Sequence, residues 1–274
     1  MSKPIPQHQL NTDSGVRSRA AQPLHRALQA VRKVPEITVY FWIIKLLSTA
    51  MGESTSDYLV YQINPYVAVA LGCLGLAVAL ILQLLLHRYV ASVYWLAVVM
   101  VAVFGTMAAD VTHVVLGIPY LVSTVFFASA LAIIFVTWYV SEKTLSIHTI
   151  YHGRRELFYW ATVTATFALG TAAGDLTAST LGLGYFPSFV LFAVLFALPT
   201  LAYWLFGLNE IVAFWFAYIV TRPLGASFAD WVGKPYLGGL GLGDAKVALV
   251  LTVLIIGFVG YLTVTRKDIK GEQH

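Results

Sequence analysis

A succession of apolar runs, each about 20 residues long, constrains this chain most strongly. Twenty residues is the length of helix that crosses ~30 Å of hydrocarbon. Eight runs can be marked, at about 36–53, 65–87, 90–110, 118–141, 156–175, 184–206, 210–231 and 244–265. A membrane β-barrel would show alternating segments of ~10 residues instead. Composition agrees: 59% of the residues are hydrophobic and 11% charged, against roughly 25% charged in soluble domains. The expected fold is therefore an all-α integral membrane protein of eight transmembrane helices.

The flanks and links set the expected orientation. Residues 1–35 are polar and basic with no apolar core, which fits a cytoplasmic tail and not a cleavable signal peptide. Basic residues gather in this tail, at Arg88, at Lys143, Arg154 and Arg155, and at Arg266 and Lys267 in the C-terminal segment 266–274. Lys234 stands on the opposite side. The positive-inside rule then puts both termini in the cytoplasm. The net charge of +4 follows from this topology, so no nucleic-acid partner is expected. The expected partners are the bilayer and a small solute, with self-association left open. The single cysteine, Cys73, lies in an apolar run and excludes an internal disulfide. Tyr40, Trp42, Tyr89, Trp95, Trp138, Tyr139, Trp160, Trp204, Trp215 and Tyr218 lie near span ends and are expected to form interfacial belts.

An internal repeat gives the next level of organisation. Aligned on an acid, the chain reads STAMGEST (48–55), GTMAADVT (105–112), GTAAGDLT (170–177) and GASFADWV (225–232). The acids are Glu53, Asp110, Asp175 and Asp230, spaced by 57, 65 and 55 residues, each at the expected outer end of an odd-numbered span. Each interval encloses two spans, so the expected units are four parallel helical hairpins, at about 36–87, 90–141, 156–206 and 210–265, around a pseudo-symmetry axis. Small residues four apart, such as Gly170 and Gly174, would let helix backbones pack closely. Packing and helix capping could account for the motif by themselves. A carboxylate in all four copies, where Ser or Asn would serve as a cap, points instead to a ring of acids.

Two cations lie deeper. Lys45 and Arg222 each precede their acid by eight residues and lie 9 and 12 residues into their spans, roughly 14 and 18 Å from the inner boundary. The other two repeats have Ala102 and Phe167 at this position. A cation at this depth costs a few kcal/mol unless it faces the bundle interior and is paired, so Lys45 and Arg222 are expected to be counter-ions of the acids. Thr49, Thr106 and Thr171, the second residue of three motifs, would line the same path. Pro223 would open its helix locally. The glycine-rich links at 179–188 and 233–244 would dip back as re-entrant turns, bringing Asp244 and Lys246 to the site.

The strings KVPEITVYFWIIKLLSTAMGESTSDYLV (33–60), FALGTAAGDLTAS (167–179) and FWFAYIVTRPLGASFADWVGKP (214–235) resemble the bacterial membrane proteins that carry the repeat of unknown function DUF347. The resemblance covers about residues 33–265 and implies a four-repeat membrane protein, with no activity attached.

Four carboxylates and two cations leave a net negative interior, which suits a small cation. Glu53, Asp110, Asp175 and Asp230 are the candidate metal ligands, and oxygen-only donors favour hard ions such as Mg²⁺ or Mn²⁺. His113 is the one imidazole near the acids and reads as an outer-loop residue. The expected function is a secondary transporter exporting a small cation in exchange for protons, with Asp175→Asn abolishing flux. Two other readings stay open: a small organic anion held at Lys45 and Arg222, and a sensor or scaffold that transports nothing. No GxSxG, HExxH or nucleophile–base pair is present, so no enzyme and no cofactor is expected.

Overall fold

A computed structural model describes residues 32–269. The expectations for the two tails at 1–31 and 270–274 lie outside the described residues. Among the described residues eight α-helices follow one another: α1 (Val39–Gln62), α2 (Pro65–Leu85), α3 (Ala91–Asp110), α4 (Tyr120–Glu142), α5 (Arg154–Asp175), α6 (Tyr185–Phe206), α7 (Glu210–Gly233) and α8 (Asp244–Thr265). A turn of π-helix extends α3 over Val111–Val115 and α5 over Leu176–Thr180.

Local chemistry sets the helix ends. The Thr38 hydroxyl accepts from the Phe41 amide and caps α1, while Asn64 and Asn209 cap α2 and α7 in the same way. Lys143, Gly207 and Arg266 end α4, α6 and α8 in left-handed conformation, which breaks the helical hydrogen-bond pattern. Two expected boundaries move. α1 runs nine residues past Glu53 to Gln62 because the polar stretch STSDYLVYQ stays helical, so Glu53 lies within a helix and not at its end. α7 passes unbroken through Pro223, whose ring instead packs beside Gly170.

The odd-numbered helices form a closed ring in the order α1, α3, α5, α7 and back to α1, and the diagonal pairs make no extensive contact. Small residues make the seams. A Cβ on Gly52 would run into Ala102, one on Gly105 into Phe167, one on Gly170 into Arg222, and one on Gly225 into Thr49. Each side of the ring thus has a glycine in one helix against the next, as close helix packing in lipid requires.

The even-numbered helices lie outside this ring, and their arrangement corrects the expected hairpins. α2 packs along α3, α4 along α5, α6 along α7 and α8 along α1. Each outer helix therefore covers the inner helix of the following repeat, and its contacts with its own chain neighbour are few. Among the described residues six helices are long and apolar enough to cross a membrane; the two described helices that are not, α1 and α5, both belong to the inner ring. Enclosure by their neighbours lets them carry the polar residues that lower their apolar character.

Candidate functional site

The inner end of the bundle, where the odd helices begin, is filled by aromatic side chains. Tyr94 and Tyr159 share a hydrogen bond of 2.5 Å between their hydroxyls. Trp215 packs between Trp138 and Tyr218, at ring distances of 5.7 and 5.5 Å, and Phe41 packs on Trp95 at 5.7 Å. This corrects the belt assignment for Trp95, Trp138, Trp160, Trp215 and Tyr218, all of which are buried. Trp204 and Tyr139 do stay exposed on the outside. The signal was present but unread: Tyr94–Trp95, Tyr159–Trp160 and Phe214–Trp215 each begin 16 residues before the acid of their repeat.

Beneath this plug the inner links are tied together by charge. Lys33 Nζ lies 2.9 Å from Glu156, both side chains fully buried, and donates also to the carbonyls of Gln83, at 2.7 Å, and Leu86. The Tyr89 hydroxyl donates to Asp268 at 2.5 Å, and the Glu36 amide to the Asp268 carbonyl at 2.9 Å. Burial pushes the Asp268 carboxyl above the usual carboxylate range, although Tyr89 pulls it back.

Mid-bundle, the four repeat-equivalent positions Lys45, Ala102, Phe167 and Arg222 come together. Arg222 reaches all three other inner helices. It donates to the Thr49 carbonyl at 3.0 Å, to Glu53 Oε2 at 2.5 Å, to the Thr171 hydroxyl at 2.6 Å and to the Thr106 hydroxyl. The hydroxyls of Thr106 and Thr171 give their own protons to the carbonyls of Ala102 and Phe167, so their lone pairs are free to accept. This bears out Arg222 as a paired interior cation. Lys45 differs. Its ammonium has no hydrogen-bond partner and lies 3.9 Å from the centre of the Phe167 ring and 4.2 Å from that of Tyr218. The expected pairing of Lys45 with an acid is absent because Arg222 already occupies Glu53.

Toward the outer end lies a carboxylate cluster. Oxygens of Glu53, Asp57 and Asp230 come within 4.8 Å of one another, and all three residues are buried. Lys234 Nζ sits between two of them, 2.9 Å from Asp57 and 2.7 Å from Asp230. Burial works against the charge on Lys234, but Asp230, Asp57 and Glu53 outweigh it and hold its pKa above the usual lysine value.

The cluster is a different set from the one expected. Asp110 and Asp175 stand outside it, half-buried. The Ser56 hydroxyl donates to Asp110 at 3.4 Å. Asp57 replaces them because α1 continues past Glu53, which puts a residue four positions on upon the same face. Lys234 stands four residues after Asp230, a spacing legible in DWVGK. Asp244 is half-buried with its side chain beside Gly233, and Lys246 is exposed and away from the site. The link after α7 is not re-entrant: it folds back over the helix end, with Leu240 N donating to Trp231 O and Gly243 N to Gly233 O. His113 ties the π-turn to α4, contacting the Ile118 carbonyl at 2.9 Å and the Ser123 hydroxyl at 3.2 Å. A crevice of about 840 Å³ between α1, α2, α3 and α8 is lined by Met51, Trp95, Met100 and Ile255 among others and carries no ionisable group.

The model of a family described as Repeat of Unknown Function (DUF347) matches this chain four times, at residues 40–89, 93–144, 158–208 and 213–268. Each match takes in one inner and one outer helix. No curated protein and no solved structure gives a significant match.

Proposed function

We propose, for a chain that belongs to the DUF347 repeat family, that it is a multi-pass membrane protein moving a small cation through the interior of its inner helix ring. The observation that carries this reading is the buried group Glu53, Asp57 and Asp230 with the Lys234 ammonium lodged between two of its members. Intramembrane carboxylates are costly and mark ion paths and proton relays. A solute cation entering from the outer end reaches this cluster, with the half-buried repeat acids Asp110 and Asp175 as further carboxylates of the same ring. To bind there it displaces Lys234 from Asp57 and Asp230. A divalent ion in place of Lys234 brings the three carboxylates and Arg222 to neutrality, and oxygen-only donors suit Mg²⁺ or Mn²⁺.

The aromatic plug closes the inner end, so transfer requires the inner and outer halves of the ring to open in turn, with protons on the vacated carboxylates returning the carrier. In this reading the protein is a proton-coupled secondary exporter of the bacterial inner membrane with both termini in the cytoplasm. It makes and breaks no covalent bond and needs no cofactor. The test is uptake of Mn²⁺ and Mg²⁺ into proteoliposomes with and without an imposed pH gradient. Saturable, gradient-dependent flux is expected, falling at least tenfold in Asp230→Asn. A wild-type protein that is folded and moves neither ion removes the reading.

A further inference from the structure

Three cations among the described residues are essentially removed from water: Lys33 and Arg222 at 0% exposure and Lys45 at 1%. Lys33 has three N–H groups and three acceptors, namely Glu156 and the carbonyls of Gln83 and Leu86. Arg222 has Glu53, the Thr49 carbonyl and two threonine hydroxyls. Lys45 has none. The Ser48 hydroxyl donates to the Lys45 carbonyl at 2.8 Å and the Thr49 hydroxyl to the Leu46 carbonyl, the Thr49 carbonyl is taken by Arg222, and none of these oxygens accepts from the Lys45 ammonium. A second donor in the same layer, Arg222 Nε, is also without a partner. Both side chains flank one ring, with Arg222 Cζ 5.5 Å from the centre of Phe167. Neither of these buried donors, the Lys45 ammonium or Arg222 Nε, meets a protein acceptor.

The two aromatic faces do not close this deficit. A desolvated cation–π contact offsets only part of what an ammonium loses when it is withdrawn from water without a partner. One monovalent anion supplies both the acceptor and the missing charge. Phe167, Tyr218 and Ala102 are each 0% exposed, so the occupant is small and enters without its water, which favours a halide over an organic acid. We infer that the Lys45 ammonium is the binding site of a single chloride-sized anion in the middle of the helix ring. The Lys45 ammonium itself makes no contact with the outer carboxylates, which reach this layer only through the Arg222–Glu53 pair.

The test is equilibrium binding of radiolabelled chloride to the purified full-length protein in detergent, which reads occupancy and not flux. One saturable site per chain is expected, competed by bromide, with affinity reduced at least tenfold in Lys45→Met and retained in Lys45→Arg and in Asp230→Asn. No saturable binding to the wild type, or binding that Lys45→Met leaves unchanged, overturns the inference. Should Lys45→Met not fold, the wild type alone decides. Its melting temperature is expected to be higher in chloride than in gluconate at equal ionic strength and pH, and equal values overturn the site. Loss of cation transport with chloride binding intact would fall on the preceding proposal alone.

Discussion

Lys33 and Lys234 bring an ammonium to buried carboxylates at opposite ends of the bundle, yet their surroundings differ. Lys33 lies 2.9 Å from one acid, Glu156, and backbone carbonyls take its other protons. Lys234 is shared between Asp57 and Asp230, with Glu53 close by, and is held on the first residue beyond α7. At the inner end charge and donors are matched, and the result is a latch joining residues 32–36 to the links around Gln83 and Glu156. At the outer end acids outnumber cations, which leaves room for exchange. The same ion-pair chemistry therefore fastens one end and, in the proposed function, loads the other.

Removing a partner separates the two ends most sharply at the latch. Glu156→Ala leaves Lys33 buried and unpaired, and a loss of about 3–5 kcal/mol is expected. Thermal unfolding in detergent reads this directly, and a melting temperature near that of the wild type would end the distinction. Next comes the seam between α5 and α7, common to both ends. Gly170→Val forces a side chain against Arg222 and Pro223, costing about 1–3 kcal/mol by overpacking, with partial loss of the α5–α7 contact in cross-linking as the readout.

Lys234→Met should behave in the opposite sense to Glu156→Ala. It leaves Asp57 and Asp230 without their cation, so the variant is less stable in metal-free buffer and regains stability when Mn²⁺ is added. About tenfold tighter Mn²⁺ binding than wild type is expected by calorimetry, equivalent to about 1.4 kcal/mol. Equal affinity would mean that Lys234 is a fixed structural cation like Lys33. The smallest change is expected for Asp175→Asn. This half-buried acid lies outside the cluster, so stability should stay within about 0.5 kcal/mol of wild type. Flux should fall by less than in Asp230→Asn, and a complete loss would widen the site to the ring of four repeat acids.

The reach of the sequence differed between features for physical reasons. Eight helices and four repeats were legible because span length and motif recurrence are local properties, and most helix ends fell within a few residues. The outer half of α1 was missed because STSDYLVYQ is polar, and it stays helical through tertiary enclosure that no local pattern reports. Asp57 went with it. Arg222 was placed correctly as an interior ion-pair partner, but Lys45, its repeat equivalent, was not, since one glutamate cannot serve both and sequence does not say which cation reaches it. Tryptophans near span ends read equally well as a belt or a plug, and only the neighbour on the far side decides. Hairpin pairing was the natural assumption for adjacent spans, and the packing of each outer helix on the next repeat has no signature in spacing.

That hand-on packing has a consequence for how such a chain can be built and cut. One repeat exposes both the inner-helix face that its predecessor should cover and the outer-helix face meant for its successor, so it is incomplete in isolation. Four separate copies would satisfy one another around a circle. In the single chain the circle has its opening where Glu36 N meets Asp268 O at 2.9 Å. A gene re-spliced to join those ends and begin instead at the link before α3 would encode the same circle of neighbours, read from a different starting point.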